Sequence, residues 1–141
     1  MRRLARPAAD YALLSAALIT VASVRIALWL LPARWIAQAT LRLQRRQRTA
    51  TGHAAMPADR IAWAVRTASR RVPRASCLTQ ALATQILLVR AGWPSRLTHG
   101  IARDERGALS AHAWVEMDGH VLIGDVGLER YARLPDLTTV P

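Results

Sequence analysis

Residues 111–125 read AHAWVEMDGHVLIGD, and this stretch decides the fold. Two runs, His112–Met117 and His120–Asp125, flank Asp118-Gly119. Asp-Gly is the favoured pair for a two-residue type I′ turn, because both central residues need positive φ. The spacing predicts a β-hairpin closed by Met117 and His120. In regular pairing Glu116 then faces Val121, Val115 faces Leu122, Trp114 faces Ile123, Ala113 faces Gly124 and His112 faces Asp125. The last is a non-hydrogen-bonded pair, the kind whose Cα atoms approach to ~4.5 Å. A histidine beside an aspartate on one sheet face is the orienting half of a catalytic triad. A one-residue slip would send the two to opposite faces.

Upstream, Arg96–Arg103 alternates, with Leu97, His99 and Ile101 on one face, and reads as a strand. Asp104-Glu105-Arg106-Gly107 is a turn, and Leu109–Met117 the second strand. Ala58–Arg71 carries Ile61, Val65 and Ala68 at helical spacing, and Val72-Pro73-Arg74 ends it. Ser76–Val89 is the next helix, N-capped by Ser76, with Leu78, Leu82, Ile86 and Val89 as its buried stripe and Gly92 as its stop. The order helix, strand, strand, strand predicts an α+β architecture, an antiparallel meander with the Cys77 helix packed on it. After Asp125 the chain reads as irregular, with a short turn at Leu128–Tyr131.

Ser76 as N-cap puts Cys77, the one cysteine of the chain, in the first helical turn. There the helix dipole and free N–H groups stabilise a thiolate and can contact an oxyanion. The candidate catalytic set is Cys77 as nucleophile, His112 as general base and acid, and Asp125 as the group that orients the imidazole. The reaction class is acyl transfer: amide hydrolysis, or transamidation when an amine competes with water. His99 sits mid-strand with no evident acidic partner and reads as structural, at most lining the cleft. His120 closes the hairpin and His53 falls in a linker, so both read as solvated. Asp118 serves the turn. Trp114 shares the His112 face, where it either walls the site or packs. There is no HExxH, and the histidines lack ligand-like spacing, so neither a metal nor a cofactor is expected.

The 141 residues suit one domain with a moderate core. The division expected is an apolar and basic helical segment over 1–57 and a catalytic core over 58–141. Residues 11–31 are apolar apart from Arg25 and long enough to span a bilayer. Three readings of them stay open: a helix buried against the core or a partner, a membrane helix, and a signal peptide, although no convincing A-x-A site follows. Pro32 interrupts the pattern, Ala33–Leu43 reads as a second helix, and QRRQR at Gln44–Arg48 leads into the flexible Thr49–Pro57. All 20 basic residues are arginine, and net charge is +11. That charge suits a solvated basic surface, an acidic peptide partner or an anionic membrane. With no recognised motif or aromatic-interleaved basic patch, nucleic acid is not expected as a partner. A lone cysteine excludes an intramolecular disulfide and suits a reducing cytoplasm.

Several of these segments together resemble one family. SCLTQAL at Ser76–Leu82, LLVRAGWPSRL at Leu87–Leu97, Gly100-Ile101 and the opening AHAWVEMDGHVLIGD are similar to the leader peptidases of lasso-peptide biosynthesis. That family belongs to the transglutaminase-like, papain-related cysteine proteases, which share the HAWVE-x-DG element. The resemblance covers roughly residues 58–135, and the apolar, arginine-rich N-terminal segment is typical of the short, stand-alone form. It implies a cysteine peptidase that cuts the leader from a ribosomally made precursor peptide. A separate leader-recognition protein would deliver the precursor, and a macrolactam cyclase similar to asparagine synthetase would follow. The implied triad is Cys77, His112 and Asp125. Thr79-Gln80 is not the commonest filling after the Cys-Leu pair, and no residue matches the upstream glutamine of papain. Two rivals keep the same sequence features: another transglutaminase-like enzyme, either a transglutaminase or an amidase, and a non-catalytic, membrane-associated peptide-binding module.

Overall fold

The computed structural model describes residues 8–47 and 56–135, so His53 and most of the Thr49–Pro57 stretch lie outside the described residues. Four helices come first: α1 (Ala8–Leu30), α2 (Ala33–Gln47), α3 (Ala58–Ser69) and α4 (Cys77–Ala91). Strands β1 (Arg96–Arg103), β2 (Leu109–Met117) and β3 (His120–Ile123) follow, then a 3-10 turn at Leu128–Arg130 and a two-residue β4 (Ala132–Arg133). The sheet is antiparallel throughout, in the order β3-β2-β1-β4. The α+β expectation is met: helices on an antiparallel meander.

Local chemistry explains most boundaries. Ser76 caps α4, its Oγ accepting from Thr79 N at 3.2 Å, and Gly92 ends the helix at φ 86°. In the β2–β3 turn both central residues have positive φ, 51° at Asp118 and 79° at Gly119, as a type I′ turn requires. The β1–β2 turn is held by the Asp104 carboxylate, which accepts from Arg106 N at 2.9 Å and Ala108 N at 2.8 Å.

The core lies between the helices and one face of the sheet. Ile61, Val65 and Ala68 form the expected stripe of α3. The stripe expected on α4 was too narrow. Leu82 is buried, but Leu78, Ile86 and Val89 are only half-buried, while Thr79, Ala81, Ala83, Thr84, Gln85, Leu87 and Leu88 are fully so. The physical reason is position: α4 is the central helix, packed on α1, α2, α3 and the sheet at once. From the sheet come Leu97, Ala113, Val115, Leu122 and Ile123. Each large side chain so buried stabilises the fold by about 1.5–3 kcal/mol.

Helix α1 belongs to this same core. Ala17, Val21 and Val24 join the buried cluster, and α1 packs against both α3 and α4. An Arg60–Asp10 ion pair joins the start of α3 to α1. Arg60 is substantially exposed, so the pair contributes at most about 1 kcal/mol. The indole of Trp93, just past α4, donates to Met56 O at 2.7 Å and ties the two ends of the α3–α4 pair together.

The hairpin register departs from regular pairing. Met117 pairs with His120 and Glu116 with Val121 as expected, but Val115 pairs with Ile123, not with Leu122. Leu122 is the extra residue of a β-bulge. Such an insertion leaves backbone groups outside the ladder. The Leu122 carbonyl accepts from the Arg66 guanidinium of α3. The bulge lets both Leu122 and Ile123 reach the core, although they are neighbours in sequence. β3 then stops at Ile123, two residues short of the expected strand.

Candidate active site

Cys77 is the first residue of α4, half-buried and a free thiol. The Ser76 cap occupies the N–H of Thr79, and the Ser76 carbonyl takes that of Gln80 at 3.0 Å. The N–H groups of Cys77 and Leu78 are thereby left outside the helix ladder, as the opening positions of any helix are. They are the donors an anion at this helix end would meet. The Cys77 thiol makes no hydrogen bond among the described residues, so the structure does not join it to His112.

His112 lies on β2, directly opposite Gly100 of β1. Strand alternation puts His112, Trp114 and Glu116 on one face and Ala113 and Val115 on the other, where they enter the core with α4. The imidazole is held in three ways. Its Nε2 lies 2.7 Å from the Gly124 carbonyl oxygen. Trp114 stacks with it at 5.9 Å between ring centres, and Tyr131, just before β4, at 5.0 Å. A carbonyl oxygen can only accept, so Nε2 carries the hydrogen. In the neutral ring Nδ1 is then the basic nitrogen, which is the tautomer a general base facing elsewhere requires.

The surroundings reinforce this placement. The Trp114 indole donates to Glu116 Oε1 at 2.7 Å. Arg133 of β4 reaches both carboxylate oxygens, at 2.5 Å and 3.2 Å, and its guanidinium lies over the Trp114 ring at 5.8 Å. The Glu116–Arg133 pair therefore fastens β4, and with it Tyr131, across the sheet beside His112. Gly100 makes the room. A Cβ there would come within 2.9 Å of the Trp114 ring and of Tyr131 Cβ.

Asp125 is not where regular pairing would put it. The bulge at Leu122 carries the chain one residue out of step, and the expected His112–Asp125 contact is not formed. Asp125 is exposed and has no hydrogen bond or ion pair among the described residues; its neighbour Gly124 makes the contact through its backbone. With the ring hydrogen already accepted by Gly124, Asp125→Asn removes only a nearby charge. Turnover of this variant should fall by less than about tenfold, since a solvent-exposed charge at close range contributes only about 1 kcal/mol. A loss of a thousandfold would show that the carboxylate, not the carbonyl, takes the ring hydrogen in the working complex.

The other histidines stand apart. His99 pairs with Ala113 on β1, on the core side of the sheet, and its own carbonyl accepts from Leu134 N at 2.9 Å. Burial lowers its pKa below the usual 6.5 by disfavouring the charged ring. The unfolded chain then binds more protons than the native one between the lowered value and 6.5, so stability rises with pH across that window. The His99 contribution is complete above about pH 6.5 and is lost as pH falls through the lowered value. Melting temperature should drop as pH falls from about 6.5 to the lowered value, and His99→Gln should flatten the drop across that window; an unchanged slope would remove His99 as its source. His120 is exposed at the turn. Among the described residues no group of three or more histidine, cysteine, aspartate or glutamate side chains could hold a metal ion.

Three contributors were not anticipated: the Gly124 carbonyl, Tyr131, and the Glu116–Arg133 fastening. A glycine next to the end of a strand is a known marker of bulges and close backbone approach, so Gly124 carried a signal. Tyr131 carried none, because its place depends on β4.

Architecture and site together define a class: an α+β domain with a capped cysteine at the start of its central helix and a ring-stacked histidine on the adjoining sheet. The family model of the transglutaminase-like superfamily matches residues 17–136. The chain belongs to that superfamily, which generally includes enzymes of the cysteine-protease and acyl-transferase type. No curated protein and no solved structure matches it. The matched region begins within α1, consistent with the packing of that helix into the core.

Proposed function

We propose that this protein is a cysteine peptidase that removes the leader from a ribosomally made lasso-peptide precursor. The observation that carries the reading is the placement of Cys77 at the Ser76-capped N-terminus of α4 in a transglutaminase-like chain. The resemblance of SCLTQAL, LLVRAGWPSRL and AHAWVEMDGHVLIGD to the leader peptidases supplies the substrate class.

In this mechanism Nδ1 of His112 takes the Cys77 proton when the two meet in the substrate complex; catalytic hydrogen bonds are often absent before substrate binds. The thiolate attacks the scissile carbonyl carbon. The carbonyl oxygen becomes an oxyanion within reach of the Cys77 and Leu78 N–H groups. The imidazolium protonates the leaving amine as the C–N bond breaks, leaving a thioester. His112 then draws a proton from water, whose oxygen attacks the thioester, and the leader leaves with a new carboxylate while Cys77 is regenerated. Asp125, one residue beyond the carbonyl that holds the ring, adds negative charge near the imidazolium.

The partners in this reading are the precursor, a separate leader-recognition protein and the downstream macrolactam cyclase. The basic surface suits an acidic peptide or partner, and the lone cysteine suits a reducing cytoplasm. The test is incubation of the purified protein with precursor, recognition protein and an added primary amine, read by mass. The expected product pair is leader and core, heavier in sum than the precursor by one water. A product heavier by an added amine, with no cleavage by water, would identify a transamidating enzyme instead.

A further inference from the structure

We infer that α1 and α2 seat this protein on an anionic membrane surface, with α1 lying in the plane of the interface and not crossing it. Among the described residues α1 is the one helix long and apolar enough to span a bilayer. Its packing excludes that course. Ala17, Val21 and Val24, on one stripe, are committed to the core against α3 and α4, and a helix so attached cannot leave along the membrane normal without dismantling that core.

The opposite side of α1 is apolar and uncovered. Placed at ~100° per residue, Tyr11, Leu18, Ile19, Ile26, Trp29 and Leu30 fall on the side away from the buried stripe. All six are exposed, Ile19 at 66% and Trp29 at 77%. The remaining exposed positions on that side are Ala8, Ala12, Ser15, Ala16 and Ser23, and the half-buried Arg25 lies at its edge beside Leu18, so no charge stands within it. From Tyr11 to Leu30 the strip runs ~29 Å along the helix, and a contiguous bare apolar surface of that extent marks an interaction site.

The chemistry of the occupant is set by what adjoins this strip. Among the described residues, α1 and α2 hold five arginines, Arg25, Arg34, Arg42, Arg45 and Arg46, and a single acid, Asp10, which is paired with Arg60. On α2, Arg34, Arg42 and Arg45 are exposed on the same side as Trp35, which is 57% exposed, while Ile36 is half-buried. A basic, tryptophan-bearing amphipathic helix beside an uncharged strip is the pattern of an interfacial helix pair. Each arginine near an anionic lipid surface strengthens attachment, and the apolar strip supplies the insertion. A second copy of this chain would present the same positive charge and would be repelled.

The test uses the full-length protein with a cleavable tag ahead of Met1 and flotation on vesicles of phosphatidylcholine with or without phosphatidylglycerol. The protein should float with the anionic vesicles, lose most of that binding in high salt, and keep its tag open to protease added outside. Ile19→Glu/Ile26→Glu should lower the bound fraction more than about tenfold, since charges at inserted positions are disfavoured. Arg34→Gln/Arg42→Gln/Arg45→Gln, which leaves every apolar contact intact, should abolish the preference for anionic lipid. Circular dichroism melting confirms that each variant is folded. Failure to float, equal flotation on neutral vesicles, or a tag protected from protease would each overturn the inference. So would self-association in place of vesicle binding, if the paired isoleucine change removes it.

Discussion

Cys77→Ala is expected to lower leader cleavage at least ~10³-fold with the fold intact. The side chain is small and half-buried, and the Ser76 cap and the Cys77 and Leu78 N–H groups do not depend on it. Alanine is also the best helix former, so α4 loses nothing by the exchange. Precursor should still bind, because the docking surfaces remain; cleavage by mass and binding by fluorescence anisotropy would separate the two. Cleavage at the wild-type rate would end the peptidase reading, since the chain has no other thiol to serve as nucleophile. If cleavage is lost and binding is lost with it, the thiol would be a structural element of the leader groove.

Gly124→Ala should damage the site from the opposite side. Gly124 sits at φ 86°, and a Cβ there would stand 2.8 Å from the Ala113 carbonyl oxygen and 2.9 Å from Trp114 Cβ. Neither neighbour is the loose end of a flexible side chain: one is backbone of the paired strand, the other the root of the ring stacked on His112. The segment must move, and its carbonyl moves with it. Unfolding free energy should fall by about 1–3 kcal/mol from the left-handed backbone and the crowding together. Turnover should fall further than stability explains, by about a hundredfold, because a displacement near 1 Å in the group that holds a catalytic ring is felt at that scale. The diagnostic is a loss in kcat with KM little changed, and an altered His112 imidazole resonance by NMR. Wild-type kcat in a folded variant would mean that Gly124 does not hold the ring during turnover.

The features legible in the sequence are those set by near neighbours. Ser76 and Gly92 bracket α4 through capping chemistry that acts over a few residues. Asp118-Gly119 fixes the hairpin turn because two consecutive positive φ values are wanted there. Ile61, Val65 and Ala68 mark α3 because it buries one side only. Prediction weakened where several elements converge. The stripe of α4 is wider than its apolar spacing indicates because helices and sheet enclose it, so Thr79, Thr84 and Gln85 are buried beside Leu88. The bulge has no local signature, because the Arg66 guanidinium that donates to the Leu122 carbonyl comes from a helix 56 residues earlier. The same blindness displaced Asp125 from His112 and hid the Gly124 carbonyl. β4 escaped notice because two residues make no pattern; its pairing with Gly100 and Ile101 and the Arg133–Glu116 contact place it.

The bulge at Leu122 separates two tasks that a regular hairpin would combine. In an unbroken ladder the distance in residues from the turn to the site is a strict count, and gaining or losing one residue exchanges inward for outward along the whole strand. Here the spare residue takes up that difference before the site is reached, and what is offered to His112 is a main-chain oxygen, a group that every amino acid possesses. The ring is thus steadied by the course of the backbone and not by the identity of a neighbouring side chain. The strand can drift in sequence on either side of the bulge, and the chief demand that survives is for a residue small enough to let the two strands touch.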